Sequence, residues 1–501
     1  MNRISLLLHF GLASTLSAAR LSAQCPDGSA PPCGRAAARL APAANSVAVL
    51  HFTARDTADA YLADGLTEDL TTLLGNVAGM QVRSPGVVRY AQRAAAGDSP
   101  AIVRALGVHY LVDGSVRRVG AHVRVSTRLL NGATAVVVWG DVFDRTPEEL
   151  LLLPAVIVRE VAIRVAGTAP SPPLGALGVL RTRSPTANDH FLRGNFFLGL
   201  RSPEGTARAL TEYREAERLD SGFAAAIGRA AYCYALARAI YYRLPDAPID
   251  SLAVEGLAIA DRALRRDSTS SDAWMARGFL LAFTSPRVMA GSTQAFERAI
   301  ALDPNNAEAH HQYAGILNWL GRHGEADRQL HLALALDPGR AISYIDLAMW
   351  TETRDTARAR ALADSAVALD PGSAFARRAR ALARLRAGDG RGAREDAELG
   401  NRLQPGSLTI QLVLALALVR AGDSTRARTL LAPWTGADHW LPLAVLVALG
   451  DTAAALDRLE HWPPDPGIWS VLHRAEFDPL HGTPRFERLL AALRPVEAEG
   501  P

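Results

Sequence analysis

The sequence predicts an α+β chain: a small α/β domain followed by an all-α superhelical solenoid of helical hairpins. Three observations predict it. Leu302-Asp303-Pro304, Leu336-Asp337-Pro338, Leu369-Asp370-Pro371 and Leu403-Gln404-Pro405 place prolines 34, 33 and 34 residues apart, a period that marks a repeated supersecondary unit. Upstream of that ladder, the apolar run Ser46–Phe52 and the alternation of Val123, Val125, Thr127 and Leu129 read as strands, one buried on both faces and one on a single face. Between the two regions, residues 167–187 carry Gly167, Pro170, Pro172, Pro173, Gly175, Gly178 and Pro185 and break all periodicity, as an interdomain linker does.

Composition sets the class. With 501 residues, 49% hydrophobic and 21% charged, the chain is an ordinary folded protein of two or three domains. Its formal net charge is +3, and all 54 basic residues are Arg, for the chain contains no Lys. There is no basic stripe and no nucleic-acid-binding motif, so no nucleic-acid partner is expected.

The chain opens with Arg3, an apolar run from Ile4 to Leu16 interrupted by His9, and a small-residue zone from Ser14 to Ala23. This reads as a secretory signal peptide over residues 1–23, cut after Ala19 or Ala23; an uncleaved membrane anchor is the alternative. Gln24 stands between Ala23 and Cys25, which disfavours a lipid-modified cysteine. Cys25 and Cys33 flank a short Pro/Gly loop in a Cys/Pro-rich tether (24–45), and in an oxidising compartment they are the expected local disulfide. Cys233 sits in a helical pattern and reads as a buried core thiol.

Residues 46–166 form the α/β domain. After the first strand, Ala63-Asp64-Gly65 opens a helix to about Val77, with Leu66, Leu70, Leu73 and Leu74 on one face. A strand near Met80–Ser84, a helix from Ser99 to Leu106, strands at Tyr110–Val119, His122–Asn131 and Val136–Phe143, and a closing helix from Pro147 to about Ala166 complete an antiparallel meander with helices. Asp64, Glu68 and Asp69 raise the question of a catalytic or cation site; Asp64 and Gly65 read instead as a helix entry, where acidic residues complement the dipole. The phrases Ser46–Phe52, Tyr61–Leu70, Leu106–Arg118 and Val123-Arg124-Val125 resemble the TolB amino-terminal domain, also described as FlgO-like. The resemblance implies a bacterial protein, since that domain is often joined to helical-repeat arrays, sometimes behind a kinase, an adenylate cyclase or a winged helix. His51 departs from it, standing where a proline is usual.

The array spans 188–462, with a cap and tail at 463–501. Counted back from each ladder proline, Ala299, Ala333 and Ala366 lie five residues before, Phe296, Leu330 and Ala363 eight before, and Ala326, Ala359 and Ala393 twelve before. Small residues let two antiparallel helices approach, the larger one fills the gap, and proline stops the second helix. With Trp274 followed by Gly278, this closely resembles the tetratricopeptide (TPR) repeat, in about seven to eight copies of which the last are degenerate. A first copy without its proline ends at Asp220-Ser221, with Ala209, Tyr213 and Ala216 in register; a second ends at Asp267-Ser268. Phe477 to Leu490 reads as the cap over the last open hydrophobic face.

The resemblance implies a groove built from the first helix of each repeat, and in that register Met275, Phe279, His311, Asn318, Ile345, Met349, Arg378 and Leu385 are the expected partner-binding residues. The basic and Asn clamp with which chaperone-binding members hold a terminal carboxylate has no counterpart here. His310, His311, His323 and His331 crowd one repeat, but the register points them apart, so no metal site is expected. No nucleotide-binding loop, hydrolase or zinc-protease motif is present, and no cofactor and no catalytic residue is assigned. The expected role is a non-enzymatic protein-interaction scaffold of the bacterial cell envelope, exported to the periplasm and binding partner peptides or helices in the groove. A regulatory input module related to cyclase- or kinase-linked proteins is the alternative, and an uncleaved amino-terminal segment would tie it to the membrane.

Overall fold

A computed structural model describes residues 43–95, 98–167, 181–239, 251–284, 289–351, 355–437, 439–462 and 468–493, together with Leu244 and Pro248. The signal segment, the tether up to residue 42 with Cys25 and Cys33, most of the linker, and the last residues of the tail lie outside these described residues.

The sheet domain runs β1 (Ser46–Val49), β2 (Thr53–Ala54), α1 (Ala60–Gly75), β3 (Gln81–Val82), α2 (Pro85–Ala94), α3 (Ser99–Leu106), β4 (Tyr110–Val119), β5 (His122–Asn131), β6 (Val137–Arg145), α4 (Pro147–Leu150) and α5 (Leu153–Ala166). Its strand order is β3-β1-β4-β5-β6, with β2 also on β4. The expected meander is β4-β5-β6, and it is only part of the sheet: β1 lies parallel to both β3 and β4. That position explains why β1 is fully buried, SVAV without a polar face.

Two local expectations are corrected. The first helix begins at Ala60, after Asp59, so Asp64 and Gly65 lie in its second turn rather than at its entry. Asp59 is buried and accepts from the Arg118 backbone N–H at 3.0 Å and from Arg118 Nε at 3.2 Å. The second correction is α2, a helix not anticipated, which starts where Pro85 follows Ser84 and fits the first helical position because its missing N–H needs no partner there.

The array is a stack of antiparallel hairpins. They are α6 (Pro185–Gly199) with α7 (Pro203–Leu219), α8 (Ala224–Ala239) with α9 (Leu252–Arg266), α10 (Ser271–Leu281) with α11 (Met289–Leu302), and α12 (Ala307–Trp319) with α13 (His323–Leu336). Next come α14 (Ala341–Thr351) with α15 (Thr356–Leu369), α16 (Ala374–Arg386) with α17 (Gly390–Leu403), α18 (Leu408–Arg420) with α19 (Ser424–Leu431), and α20 (Trp440–Ala448) with α21 (Thr452–Glu460). The short α22 (Ile468–Val471) and α23 (Pro484–Ala492) follow, and Phe477 and Phe486 are fully buried against the last hairpins.

The repeat register carries the packing. Ala299, Ala333, Ala366, Phe296, Leu330, Ala363, Ala326, Ala359 and Ala393 are all at 0% exposure, as are Ala209, Tyr213 and Ala216 of the first hairpin. The aspartate of each boundary closes the turn: its Oδ1 accepts the backbone N–H two residues on, in Asp220–Gly222, Asp267–Thr269, Asp303–Asn305, Asp337–Gly339 and Asp370–Gly372. The turn therefore survives at Ser221 and Ser268, where the proline is absent. Among the described residues no helix is long and apolar enough to cross a membrane.

The two regions share one core. Leu62, Leu66 and Leu70 of α1 belong to the same buried cluster as Phe191 and Leu192 of α6, and a Cβ at Gly65 would lie 2.6 Å from Leu192 Cδ2, so a larger residue there would have to displace the Leu192 side chain. Beside that seam the Tyr61 hydroxyl donates to Asp189 Oδ1 at 2.5 Å and accepts from Arg118 at 3.0 Å and Arg193 at 3.2 Å. Burial, and then the Asp189 carboxylate, push the Tyr61 phenol up to about 12.

Candidate functional site

The first helices of the first six hairpins line one common space, and α2 of the sheet domain lines it from the other side. Ser84 Oγ donates to the Leu336 carbonyl oxygen, and Gly86 abuts Asp337 so closely that a Cβ would lie 2.3 Å from its Cγ. What is left between α2 and the array is a chamber of about 1250 Å³. Leu198, Tyr232, Phe279, Ile345 and Phe375 give it apolar surface, one residue from each of five first helices, while Glu68, Arg89, Tyr90 and Arg93 face it from the sheet domain.

A polar cluster on its wall centres on Glu308. Oε2 accepts from Arg201 Nη2 at 2.7 Å and pairs with Arg340 Nη2 at 2.5 Å; Oε1 accepts from Gln312 Nε2 at 2.9 Å and from the Tyr232 hydroxyl at 2.5 Å. Gln312 Nε2 also donates to the Tyr232 oxygen at 2.9 Å. Burial acts to raise the Glu308 pKa, but Arg201 and Arg340 outweigh it and hold the carboxyl well below the usual range. For Arg201 burial opposes the charge and Glu308 overcomes it, so the guanidinium stays protonated.

Around this centre lie two groups whose charged forms are disfavoured by burial. His311 is pushed well below its ordinary value by burial and then by Arg340; its Nδ1 meets Ser343 Oγ at 3.0 Å and its Nε2 stands 3.4 Å from Asp346 Oδ2. Burial raises Asp346 to about 7. Farther along the wall Arg229 Nε donates to Asp272 at 2.9 Å, and the Asp272 charge keeps that guanidinium ionised against the cost of burial.

Of the eight residues expected to form a groove, Phe279, His311 and Ile345 line the chamber. Met275 is corrected: at 0% exposure it is core filling, turned into the interhelical contact rather than toward the groove. Asn318 Oδ1 is engaged with His323 Nδ1 at 3.0 Å, Met349 Sδ accepts from Arg378 at 3.2 Å, Arg378 also lies over the Phe375 ring, and Leu385 packs on the second core cluster. Sequence reasoning missed Arg201, Glu308 and Arg340. Arg201 and Arg340 sit in turns, outside any helix-face projection, and Glu308 is an acidic residue in a first helical turn, where dipole complementarity accounts for it.

The other clusters do not converge. His310 bonds Gln329 and the Pro304 carbonyl, His323 bonds Asn318, and His331 bonds the Asp327 carbonyl. Asp64 pairs with His51 at 2.7 Å and Asp69 with Arg181 at 3.3 Å, while Glu68 faces the chamber. Cys233 is a free, fully buried thiol, pushed up to about 12 by burial.

No family model matches the chain. It is 36% identical over 135 residues to a Rhizobium meliloti (strain 1021) protein named "Putative adenylate cyclase 3"; the match covers 26% of this chain and 22% of that protein, so the chain spans about a fifth of its relative. Solved structures with similar helical stacking include yeast Tom70, with 14% identity, TM-score 0.37, and coverage of 62% of this chain and 65% of that one. Another is YrrB, described as a TPR protein with an unusual peptide-binding site, with 17% identity, TM-score 0.26, and coverage of 40% and 95%.

Proposed function

We propose that this protein is a non-enzymatic adaptor of the bacterial cell envelope that holds a segment of a partner protein in the chamber between its TPR-type array and its sheet domain. The chamber itself supports the reading most. It offers apolar side chains (Phe279, Ile345, Phe375) beside hydrogen-bonding ones (Gln312, Asp337), the mixture that suits an extended peptide or one face of a helix. The likeness of residues 46–145 to the TolB amino-terminal domain supports an envelope setting, and the pattern of Met1–Ala23 supports export. Export is checked by fusing residues 1–45 to a reporter active only outside the cytoplasm; an inactive fusion removes the envelope from the proposal.

Site-specific photocrosslinking tests the chamber. A crosslinking residue at Tyr90 or Leu403, both on its wall, is compared with one at Val254 or Leu332, which are exposed and are not among its lining residues. A partner crosslinked from Tyr90 or Leu403 and not from the other two supports the adaptor. Crosslinks from Val254 or Leu332 alone would move the partner to the outer face and overturn it.

A second reading, a regulatory input module for a separate enzyme, is favoured by the similarity to the cyclase-named relative. It differs in its expected partner: a nucleotide cyclase or kinase recovered in the same crosslinking would select it.

A further inference from the structure

We propose that the chamber also contains a site for a small anionic molecule, whose carboxylate or phosphate group completes the cluster of Arg201, Glu308 and Arg340. The inference does not depend on a protein segment entering the same chamber.

Two guanidiniums share the single Glu308 carboxylate. Burial raises Asp346 to about 7, so it is partly ionised near neutral pH, whereas His311, held well below its ordinary value, is neutral there. Arg340 is 8% exposed, and its Nε–H is buried with no hydrogen-bond acceptor among the described residues. Buried donors are rarely left so, and an orphan at a chamber wall marks a place where an acceptor belongs. Arginine's planar fork suits that acceptor, because carboxylate and phosphate oxygens match its spacing.

Backbone strain singles out the same cluster. Arg201 has φ +48°, a left-handed conformation that a residue with a Cβ adopts at a cost, and its guanidinium reaches the carboxylate from there. The opposite wall adds charge: Arg89 and Arg93 of α2 line the chamber, with Glu68 acting on Arg89. Asp337, the acid nearest Arg340 in sequence, has Oδ1 engaged by the Gly339 N–H at 3.2 Å. Because α2 meets the array at Leu336, Asp337 and Gly339, beside Arg340, an anion bound there links both walls and favours α2 in its docked position.

The test is calorimetric titration of the full chain with citrate and, separately, with inorganic phosphate, at constant ionic strength. The variants are Arg340→Lys, which keeps the charge but loses the fork, and Arg93→Gln on the facing wall. Saturable binding of either probe, weakened about ten-fold or more in Arg340→Lys, supports the site, and the probe that binds tells carboxylate from phosphate. Should Arg340→Lys fail to fold by circular dichroism, weakening in Arg93→Gln makes the same discrimination. No binding of either probe up to about 10 mM, or equal binding by wild type and the folded variants, overturns it.

Discussion

Arg201 and Glu308 stand 107 positions apart in the chain and meet at 2.7 Å on the chamber wall. In a stack of repeats each unit ordinarily touches only its neighbours, so curvature accumulates from many small interfaces. Here the turn of the first hairpin is tied directly to the first helix of the fourth, and Arg340, Tyr232 and Gln312 fasten to the same carboxylate. The pitch of this half of the superhelix thus rests on one acidic side chain as well as on hairpin packing.

Glu308→Ala is therefore expected to act twice. It strands Arg340 in a buried position and frees Arg201, with an expected loss of about 3 kcal/mol in chemical denaturation. Arg201→Ala should cost only about 1 kcal/mol, since 43% of that side chain is open to solvent. Small-angle scattering should show a larger radius of gyration for both. An unchanged radius in Glu308→Ala would mean that packing alone sets the curvature.

Farther along the array, Asp396 is 3% exposed and takes Arg377 at 3.1 Å, Arg380 at 2.7 Å and Arg384 at 2.8 Å. Removing the shared carboxylate takes the acid from Arg377 and leaves Arg380 and Arg384 only the longer carboxylate contacts to Asp364 at 3.3 Å and Asp389 at 3.8 Å. Asp396→Ala is expected to destabilise by about 3–5 kcal/mol, whereas Asp451→Ala, which breaks an exposed pair with Arg428, should leave stability nearly unchanged. Equal losses in urea titrations of the two variants would contradict this ranking.

These cases show which kind of information the sequence carries. Positions such as Ala333, Phe296 and Tyr213 were legible because a helical hairpin repeats its close contacts at fixed spacing, and all three are fully buried. The strands were legible where one face alternates, as in β5; β1 was legible as an apolar run, but its parallel neighbours were not, because parallel pairing leaves no turn to read. The helix α2 was hidden by its composition, polar and Arg-bearing with Val88 and Ala91 as its buried apolar contacts. The chamber was not legible at all. It depends on repeats that are not neighbours and on turn residues such as Arg201 and Arg340, and a 34-residue period does not encode the superhelical pitch that brings them together.

The docking of α2 makes a separate prediction. Its attachment to the array is light compared with the α1–α6 core, consisting of the Ser84–Leu336 hydrogen bond and the approach of Gly86 and Tyr90 to Asp337 and Gly339. Gly86→Val cannot be accommodated against Asp337 without moving the helix. Amide exchange over residues 85–95 and 336–340 is expected to speed up about ten-fold, with exchange in α1 and α6 unchanged. Uniform acceleration would instead show that α2 is part of one cooperative unit with the core.

Asp346 gives the array a pH dependence whose sign can be worked out. Burial is the main cause of its rise to about 7, against Arg378, Arg340 and Arg201, which lower it, while Glu308 adds to the rise and His311 lies 3.4 Å away. Since the unfolded chain has the ordinary aspartate value, the folded state binds the proton more tightly between about pH 4 and 7. The stabilisation from the protonated carboxyl is fully present below about pH 4 and is lost as pH rises through 7. Asp346→Asn mimics the protonated form, so relative to wild type it should gain about 2 kcal/mol at pH 8 over its standing at pH 4.5, allowing for the 27% of the side chain that remains exposed. Urea unfolding of both proteins at the two pH values checks it. The comparison cancels the titration of carboxylates remote from Asp346, so an identical difference at pH 4.5 and pH 8 would assign Asp346 an ordinary acidity.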